Sequence, residues 1–367
     1  MKFKKRYKNI FLYSSLQFIG NIEQYFVNHT EKLVVFIVMP RVQSQETVVR
    51  LYRKGKLIEE KKVPLKKNIY AYYISWYVNH IKLIFKYFDK YEKFYLISFH
   101  PLPFFFSSIQ KLFRKIEFVY WIADYFPSMN LLLNLFEKIK HFYHSKIKYT
   151  LYLSDTINKI QNGKVINSVN RKTVMWGVKP KPIKRISDVR NFNILFVGLI
   201  KESQGLEFFY DFLKENKEYK LKIIGVCDGK LYKRYKKIIK DYKIQKQVYF
   251  PNKFFSDTEL VEVSRECQVG IALYDPGKLN ATYYTDPGKI KAYAEMGLPI
   301  VMSDISSIAP LIIKFKAGEV IDRNLTSIEM AIRKIRKNYR SYLSGVEKFN
   351  RHFGFEEYYK KRFKFLQ

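Results

Sequence analysis

The sequence predicts an α/β protein built as two Rossmann-like domains, and three observations carry that prediction. Strand-like apolar runs alternate with helix-like amphipathic runs along both halves, the pattern of a parallel sheet with helices on both faces. The alternation is interrupted by KPKPIKRISDVR, from Lys179 to Arg190, and then restarts. The chain has 367 residues, 47% of them hydrophobic, which is enough for two cores.

The elements follow in order. Ile10 to Ser14 reads as a first strand, with Gly20 in the turn to the helix IEQYFVNHTEK and then the strand LVVFIVMP. Residues 41–68 are charged and irregular, with a hairpin the one regular option. A long helix covers Ile69 to Tyr91. The strand FYLISFH ends at His100-Pro101, a helix runs to Arg114, and the strand EFVYWIAD ends at Asp124. A helix from Asn130 to Lys146, the strand KYTLYLSD and a short helix complete the first half. After the Pro/Lys linker come NILFVGLI (strand), LEFFYDFLKEN (helix), YKLKIIGV (strand), KLYKRYKKIIKDYKI (helix), QVYFPN (strand), SDTELVEVSREC (helix) and VGIALYD (strand). In YYTDPGKIKAYAEMGLPIVMSD, Asp286 suits an N-cap and Pro287 the first helical position, while Gly297 and Pro299 are a stop signal. That predicts a helix from Pro287 to Met296 and a strand from Pro299. The segment from Thr326 is helical and is expected to return to the first domain. The expected division is 1–180, 191–335 and a returning helical segment 336–367.

Net charge is +34, from 67 basic and 33 acidic residues, so an anionic partner is expected: a phosphorylated substrate, an anionic membrane surface or nucleic acid. The abundance of Tyr, Phe, Ile, Asn and Lys together is also what AT-rich codons produce. No helix-turn-helix, zinc-finger or RNP-like motif accompanies the charge, which argues against nucleic acid. Cys227 and Cys267 lie far apart with no CxxC, the histidines form no metal motif, and a reducing compartment is expected. The basic, then apolar N-terminus lacks the long apolar core and cleavage site of a signal peptide, and no run of about 18 apolar residues exists.

Two chemistries stand out. A helix N-terminus at Gly288-Lys289 offers free N–H groups, partial positive charge and a full charge, which suits a phosphate; an ordinary capped helix with a surface lysine is the plainer reading, and Asp286 counts against an anion. Asp124 and His100 both end predicted strands of the first domain. Asp124 could serve as a general base or merely cap its turn, and His100 could touch an acceptor or phosphate or be a satisfied loop histidine.

The ordered set ILFVGLIKESQGLE, LKIIGVCDG, VYFPNKFFSDTELVEVSREC, VGIALY and TDPGKIKAYAEMGLPIV resembles the GT-B glycosyltransferases of the broad group that includes family 4. The resemblance covers residues 193–304 and is weaker in the first domain. It implies a GT-B fold: two Rossmann-like domains facing each other across a cleft, with a C-terminal helix returning to the first. It implies a metal-independent transfer of sugar from a nucleotide diphosphate sugar, UDP-linked, with no further cofactor; no Asp-x-Asp occurs in the chain. By the same resemblance, Gly288 and Lys289 hold the donor diphosphate, Gly198 and the following turn lie beneath it, Pro251 and Asn252 fall where the base is held, and Tyr284 and Thr285 line the sugar or base side. The chain departs from the family pattern at Ala292 and Tyr284, where the Glu-x7-Glu pair would fall, and at Leu199 and Gln204, where basic residues are usual. Lys201 could stand in for a lost basic residue and Glu295 for the lost acid. The pattern is that of branches lacking the glutamate pair and using an aspartate base in the first domain. Charge and the basic-aromatic stretch after Asn68 add the expectation of a cytoplasmic enzyme, peripheral at the inner membrane face, that builds surface polysaccharide on a glycan or lipid-diphosphate acceptor. The alternatives are a basic nucleic-acid-binding protein and a catalytically degenerate GT-B binding module.

Overall fold

The computed structural model describes residues 3–15, 20–39, 46–66, 68–126, 131–183, 192–277 and 280–367. The chain divides into two compact units, Met1–Trp176 with Phe355–Gln367, and Gly177–Gly354. Most of the expected linker, from residue 184 on, lies outside the described residues.

The first unit contains β1 (Tyr7–Ser14), α1 (Ile22–His29), β2 (Thr30–Ile37), β3 (Val48–Arg53), β4 (Lys56–Lys62), α2 (Ile69–Tyr87), β5 (Phe94–Ser98), α3 (Leu102–Ser107), α4 (Gln110–Phe113), β6 (Ile116–Ile122), α5 (Leu131–Lys146), β7 (Tyr149–Tyr152), α6 (Asp155–Asn162) and β8 (Arg171–Thr173). Its sheet has the order β4-β3-β2-β1-β5-β6-β7-β8. The six strands from β2 to β8 in that order run parallel, while β3 and β4 form an antiparallel hairpin on the β2 edge. The hairpin resolves the irregular stretch: its alternating charges suit a solvated edge. Central strands buried on both faces read as unbroken apolar runs, and Ile10–Tyr13 of β1 are fully buried.

Strand order reverses at β1. The chain moves one way to β2 through α1 and returns past β1 to β5 through α2. Right-handed crossovers then put α2 through α6 on one face of the sheet and α1 on the other. Gly20 lies in the turn before α1 with φ of 69°, and a Cβ there would sit 2.7 Å from the Trp176 Cβ, so this glycine serves a close backbone approach.

The second unit contains β9 (Phe192–Val197), α7 (Leu206–Glu215), β10 (Tyr219–Ile224), α8 (Gly229–Asp241), β11 (Val248–Tyr249), α9 (Asp257–Arg265), β12 (Val269–Ala272), α10 (Gly288–Glu295), β13 (Ile300–Ser303), α11 (Ala309–Phe315), β14 (Gly318–Ile321), α12 (Leu325–Lys337) and α13 (Tyr339–Phe353). Its sheet, β11-β10-β9-β12-β13-β14, is parallel throughout and reverses order at β9. The short strand β14 was not anticipated.

The returning segment is shorter than the expected 336–367. Helix α13 buries Tyr342, Val346, Phe349 and Phe353 within the second unit. Gly345 presses against the end of α11, where a Cβ would fall 1.9 Å from the Lys316 carbonyl oxygen. Only α14 (Phe355–Arg362) and the residues after it join the first unit. There Tyr359 donates to the Gly20 carbonyl (2.8 Å) and Glu356 accepts from Asn28 (2.7 Å) and meets the His29 ring (2.6 Å).

Candidate functional site

Each unit gathers its chemistry where its strand order reverses, at the carboxyl ends of the strands. That is where open α/β sheets bind ligands, because diverging connections leave a crevice.

In the first unit this place is a cavity of about 450 Å³. Its floor comes from the strand ends: Ser15 after β1, Phe99 to Pro101 after β5, and Ile122 to Asp124 at the end of β6. Its walls are α2, through Tyr72, Tyr73 and Trp76, and α5, through Phe136, Glu137 and Lys140. Asp124 and His100, chosen on sequence because each ends a strand, thus line one cavity. Tyr73 packs edge-on against Phe136 (5.9 Å) and Trp76 tilts against His100 (5.5 Å), so the walls are largely aromatic.

Asp124 is reached by solvent through the cavity. The protein around it nevertheless penalises its charge and raises the carboxyl above its ordinary value, while the nearby cation of Lys140 pulls it partly back. A carboxylate raised in this way is better matched to accepting a proton near neutrality than a free aspartate. Lys140 is itself buried, and its charge is held by an ion pair with Glu137, one turn before it. Burial lowers its ammonium, with Glu137 and Asp124 opposing that.

His100 takes a narrower role than its place among the catalytic candidates suggested. Burial lowers its imidazole to about 4, so the ring is neutral at physiological pH. Its Nδ1 accepts from the Leu102 N–H at 3.2 Å, which assigns the proton to Nε2. In that tautomer the Nε2–H is available as a hydrogen-bond donor, and the ring offers no free basic nitrogen.

In the second unit, Gly198 follows β9 with φ of 109°, and its N–H donates to Ile224 at 2.9 Å. Gly225, after β10, lies flat against it: a Cβ there would fall 1.8 Å from the Gly198 carbonyl oxygen. Two strand ends therefore meet with no side chain between them. Lys289 lies over this bare backbone, its Cε 3.6 Å from where a Gly198 Cβ would stand. Its Nζ sits 3.5 Å from the Phe196 ring centroid and reaches Gln204 Oε1 at 3.4 Å. Among the described residues no carboxylate forms an ion pair with it, since Asp286 pairs with Lys291 (3.5 Å) and Asp275 with Arg323 (3.6 Å). Burial without a counter-charge lowers its ammonium well below the usual lysine value.

Helix α10 starts one residue later than expected. Pro287 is its N-cap, and no side chain caps it. Asp286 is buried and faces Lys291, so its charge is neutralised instead of opposing an anion at the helix start. Gly288 thus opens the helix, with Lys289 in the first turn. Gln204, noted on sequence only as a departure, holds the lysine. It also ends the short turn after Lys201, which is exposed.

The remaining candidates are placed as follows. Asn252 adopts φ of 49° after β11 and accepts from the Cys227 N–H at 2.9 Å, bracing the ends of β10 and β11, with Pro251 half-buried before it. Tyr284 is nearly buried against Tyr283, and the Thr285 carbonyl accepts from the Ser306 hydroxyl. Glu295 sits at the opposite end of α10 from Lys289, where its carboxylate accepts from the Lys179 N–H at 2.7 Å. Its geometry is that of a brace for residues 179–181, apart from the Gly198–Lys289 cluster.

Glu137 and Lys140 were not found on sequence, and the α2 aromatics were noted only as a basic-aromatic stretch, not as cavity walls. A lysine in an amphipathic helix reads as solvated, and the one available signal was that Leu131 and Leu135 share α5 with it.

No family model and no curated protein matches the sequence. Solved structures do. Sucrose-phosphate synthase from Thermosynechococcus elongatus aligns over 97% of this chain and 98% of its own, at 11% identity and a TM-score of 0.69. Anabaena HepE, in complex with UDP-glucose, aligns over 98% and 99% at 13% identity and a TM-score of 0.68. WaaG, a glycosyltransferase involved in lipopolysaccharide biosynthesis, aligns over 98% of both chains at 13% identity and a TM-score of 0.58. The chain has the GT-B fold, as its sequence motifs implied.

Proposed function

We propose that the protein is a glycosyltransferase that moves a sugar from a UDP-sugar to a glycan or lipid-linked acceptor in bacterial surface polysaccharide synthesis. The observation that carries this reading is Lys289: a half-buried cation without a carboxylate partner, in the first turn of α10, lying over the glycine-only junction of β9 and β10. Helix N–H groups and an uncompensated ammonium together favour a diphosphate. HepE, of the same fold, is known in complexes with UDP and UDP-glucose.

The acceptor belongs to the first unit's cavity, whose aromatic walls can pack on sugar faces or a lipid-borne group. In a direct displacement the bond from the sugar's anomeric carbon to the diphosphate breaks and one to the acceptor oxygen forms. Asp124 takes the hydroxyl proton, the His100 Nε2–H orients the acceptor, and Lys289 offsets the charge growing on the leaving diphosphate. The three roles are proposed without a metal ion, as the resemblance to GT-B enzymes implies. The +34 charge favours an acceptor borne on an anionic inner membrane surface.

The test is thermal stabilisation by nucleotides. A ligand at a hundred times its dissociation constant stabilises by roughly 2.7 kcal/mol. UDP is expected to raise the melting temperature of the wild type and to do so much less for Lys289→Ala. No shift with any nucleotide or nucleotide sugar would turn the reading toward a GT-B module that has lost its donor site.

A further inference from the structure

Three neighbouring helices on one face of the first unit's sheet are apolar on the side that faces away from the core. Helix α2 buries Tyr72, Trp76, His80 and Leu83, yet leaves Tyr70, Ile74, Tyr77 and Phe85 exposed on its other side. Those four recur at helical spacing, so α2 has two apolar faces where a surface helix has one. Past α3, Ile109, Leu112 and Phe113 are exposed, Leu112 at 77%. Helix α5 is inverted: Lys140 is buried against the cavity, whereas Leu131, at 87%, and Leu135 face solvent.

The three helices are neighbours, tied together by rings beneath their exposed sides. Tyr77 of α2 packs on Phe106 of α3 (5.2 Å), Tyr143 of α5 packs on Phe104 of α3 (5.9 Å), and Tyr73 of α2 meets Phe136 of α5. Exposed apolar side chains gathered on adjacent helices point to an interaction site. Its charges have one sign. Helices α2, α3 and α4 carry no acid, and the single acid of α5, Glu137, is bound to Lys140. Cations rim the patch and lie along its rings: Arg114 over Phe85 at 4.4 Å and Lys146 over Phe142 at 3.9 Å, with Lys82 and Lys138 exposed. Tyrosine, phenylalanine and lysine with apolar stems and polar tips are the residues that settle at a headgroup boundary.

We infer that the outward face of α2, α4 and α5 seats the first unit on an anionic lipid bilayer, with the acceptor cavity between the inner faces of α2 and α5 loaded from that side. This rests on the reading of the cavity as an acceptor site and adds the surface through which the acceptor arrives. A second copy of the chain fits the same face poorly, because an isologous contact would set its lysines against each other. Anionic lipid complements both features, at about 1 kcal/mol for each basic residue near the surface in addition to the apolar insertion.

The experiment is sedimentation of the full chain with phosphatidylcholine vesicles, with and without phosphatidylglycerol, for wild type and the exposed-site variant Ile74→Ser/Leu112→Ser/Leu135→Ser. Wild type is expected to bind the phosphatidylglycerol vesicles, less so at high salt, and to leave pure phosphatidylcholine largely unbound. The variant is expected to lose more than about tenfold in partitioning while its melting temperature and UDP-induced shift are unchanged. Retained binding by the variant, or no vesicle binding by wild type, overturns the inference. So does a wild-type dimer in sedimentation velocity that the variant abolishes while vesicles remain unbound, which would assign the face to self-association. Vesicle binding without any nucleotide shift upholds the docking face while removing the donor-site reading.

Discussion

The two units share a parallel α/β architecture, but they distribute charge in opposite ways. The second largely keeps the usual order, with apolar residues inside and lysines outside; Lys291 is buried but paired with Asp286, whereas Lys289 is half-buried with no acid paired to it among the described residues. The first is turned partly inside out. Lys140, Glu137 and Asp124 line its cavity while leucines and aromatics of the same helices meet solvent. The titrating groups differ too: five of the six histidines lie in the first unit. One fold thus supports two electrostatic roles. On the proposed reading, Lys289 of the second unit serves an anion, and Asp124 of the first, raised by burial and only partly offset by Lys140, serves as a proton acceptor.

The largest test of this contrast is Asp124→Asn. If the carboxylate is the proton acceptor, turnover with a UDP-sugar should fall by roughly 10²–10⁴-fold. The UDP-induced melting shift should persist, because the substitution leaves Lys289 and Gly198 untouched. Equal losses in nucleotide binding and turnover would erase the division of labour between the units.

A second test separates the units by acid. His80 is fully buried in α2, stacked on Phe11 (5.3 Å), with its Nε2 2.8 Å from the Ser107 hydroxyl. Burial lowers it from 6.5 to about 3. A histidine held neutral below its unfolded value binds fewer protons folded than unfolded across that window. Its stabilising contribution is therefore complete above pH 6.5 and is lost as pH falls toward 3, on the order of 5 kcal/mol in all. His144, lowered to about 4, adds to the same trend. Acid melting followed by hydrogen exchange should show the first unit opening before the second. His80→Phe, which keeps the stacking and removes the titration, should flatten the slope between pH 6.5 and 4, and an unchanged slope would mean the acid sensitivity lies elsewhere.

Sequence revealed the second unit better than the first, for physical reasons. Strands such as Phe192–Val197 are buried on both faces and so appear as unbroken apolar runs. Gly198 and the Gly288-Lys289 turn are local features whose chemistry is visible in a few residues. Asp124 and His100 could be found because strand ends face a binding crevice in this architecture. Lys140 could not, because amphipathic spacing gives the two faces of α5 but not which one points inward. The same ambiguity hid the home of α13: its stripe Tyr342, Val346, Phe349 predicts burial without saying against which unit. Glu295 illustrates the opposite failure. It lies near the phosphate motif in sequence, but a helix of eight residues carries it to the far end, where it binds the Lys179 backbone.

The smallest expected effect concerns Lys140, and it separates tuning from scaffolding. Its cation lowers the Asp124 carboxyl against the larger opposing effect of burial. Lys140→Met keeps most of the buried stem and removes the charge, so Asp124 should hold its proton to higher pH. A base must be unprotonated to act, so the acid limb of the kcat/KM profile should move to higher pH while the plateau above it changes little. Because the substitution leaves Glu137 unpaired, Lys140→Met/Glu137→Gln is the matched control for stability and should show the same displacement of the limb. A plateau that drops with the limb unmoved would make Lys140 a strut for α5. A limb that moves in both variants at equal melting temperature would mean that the inverted helix sets the protonation of the carboxylate it faces.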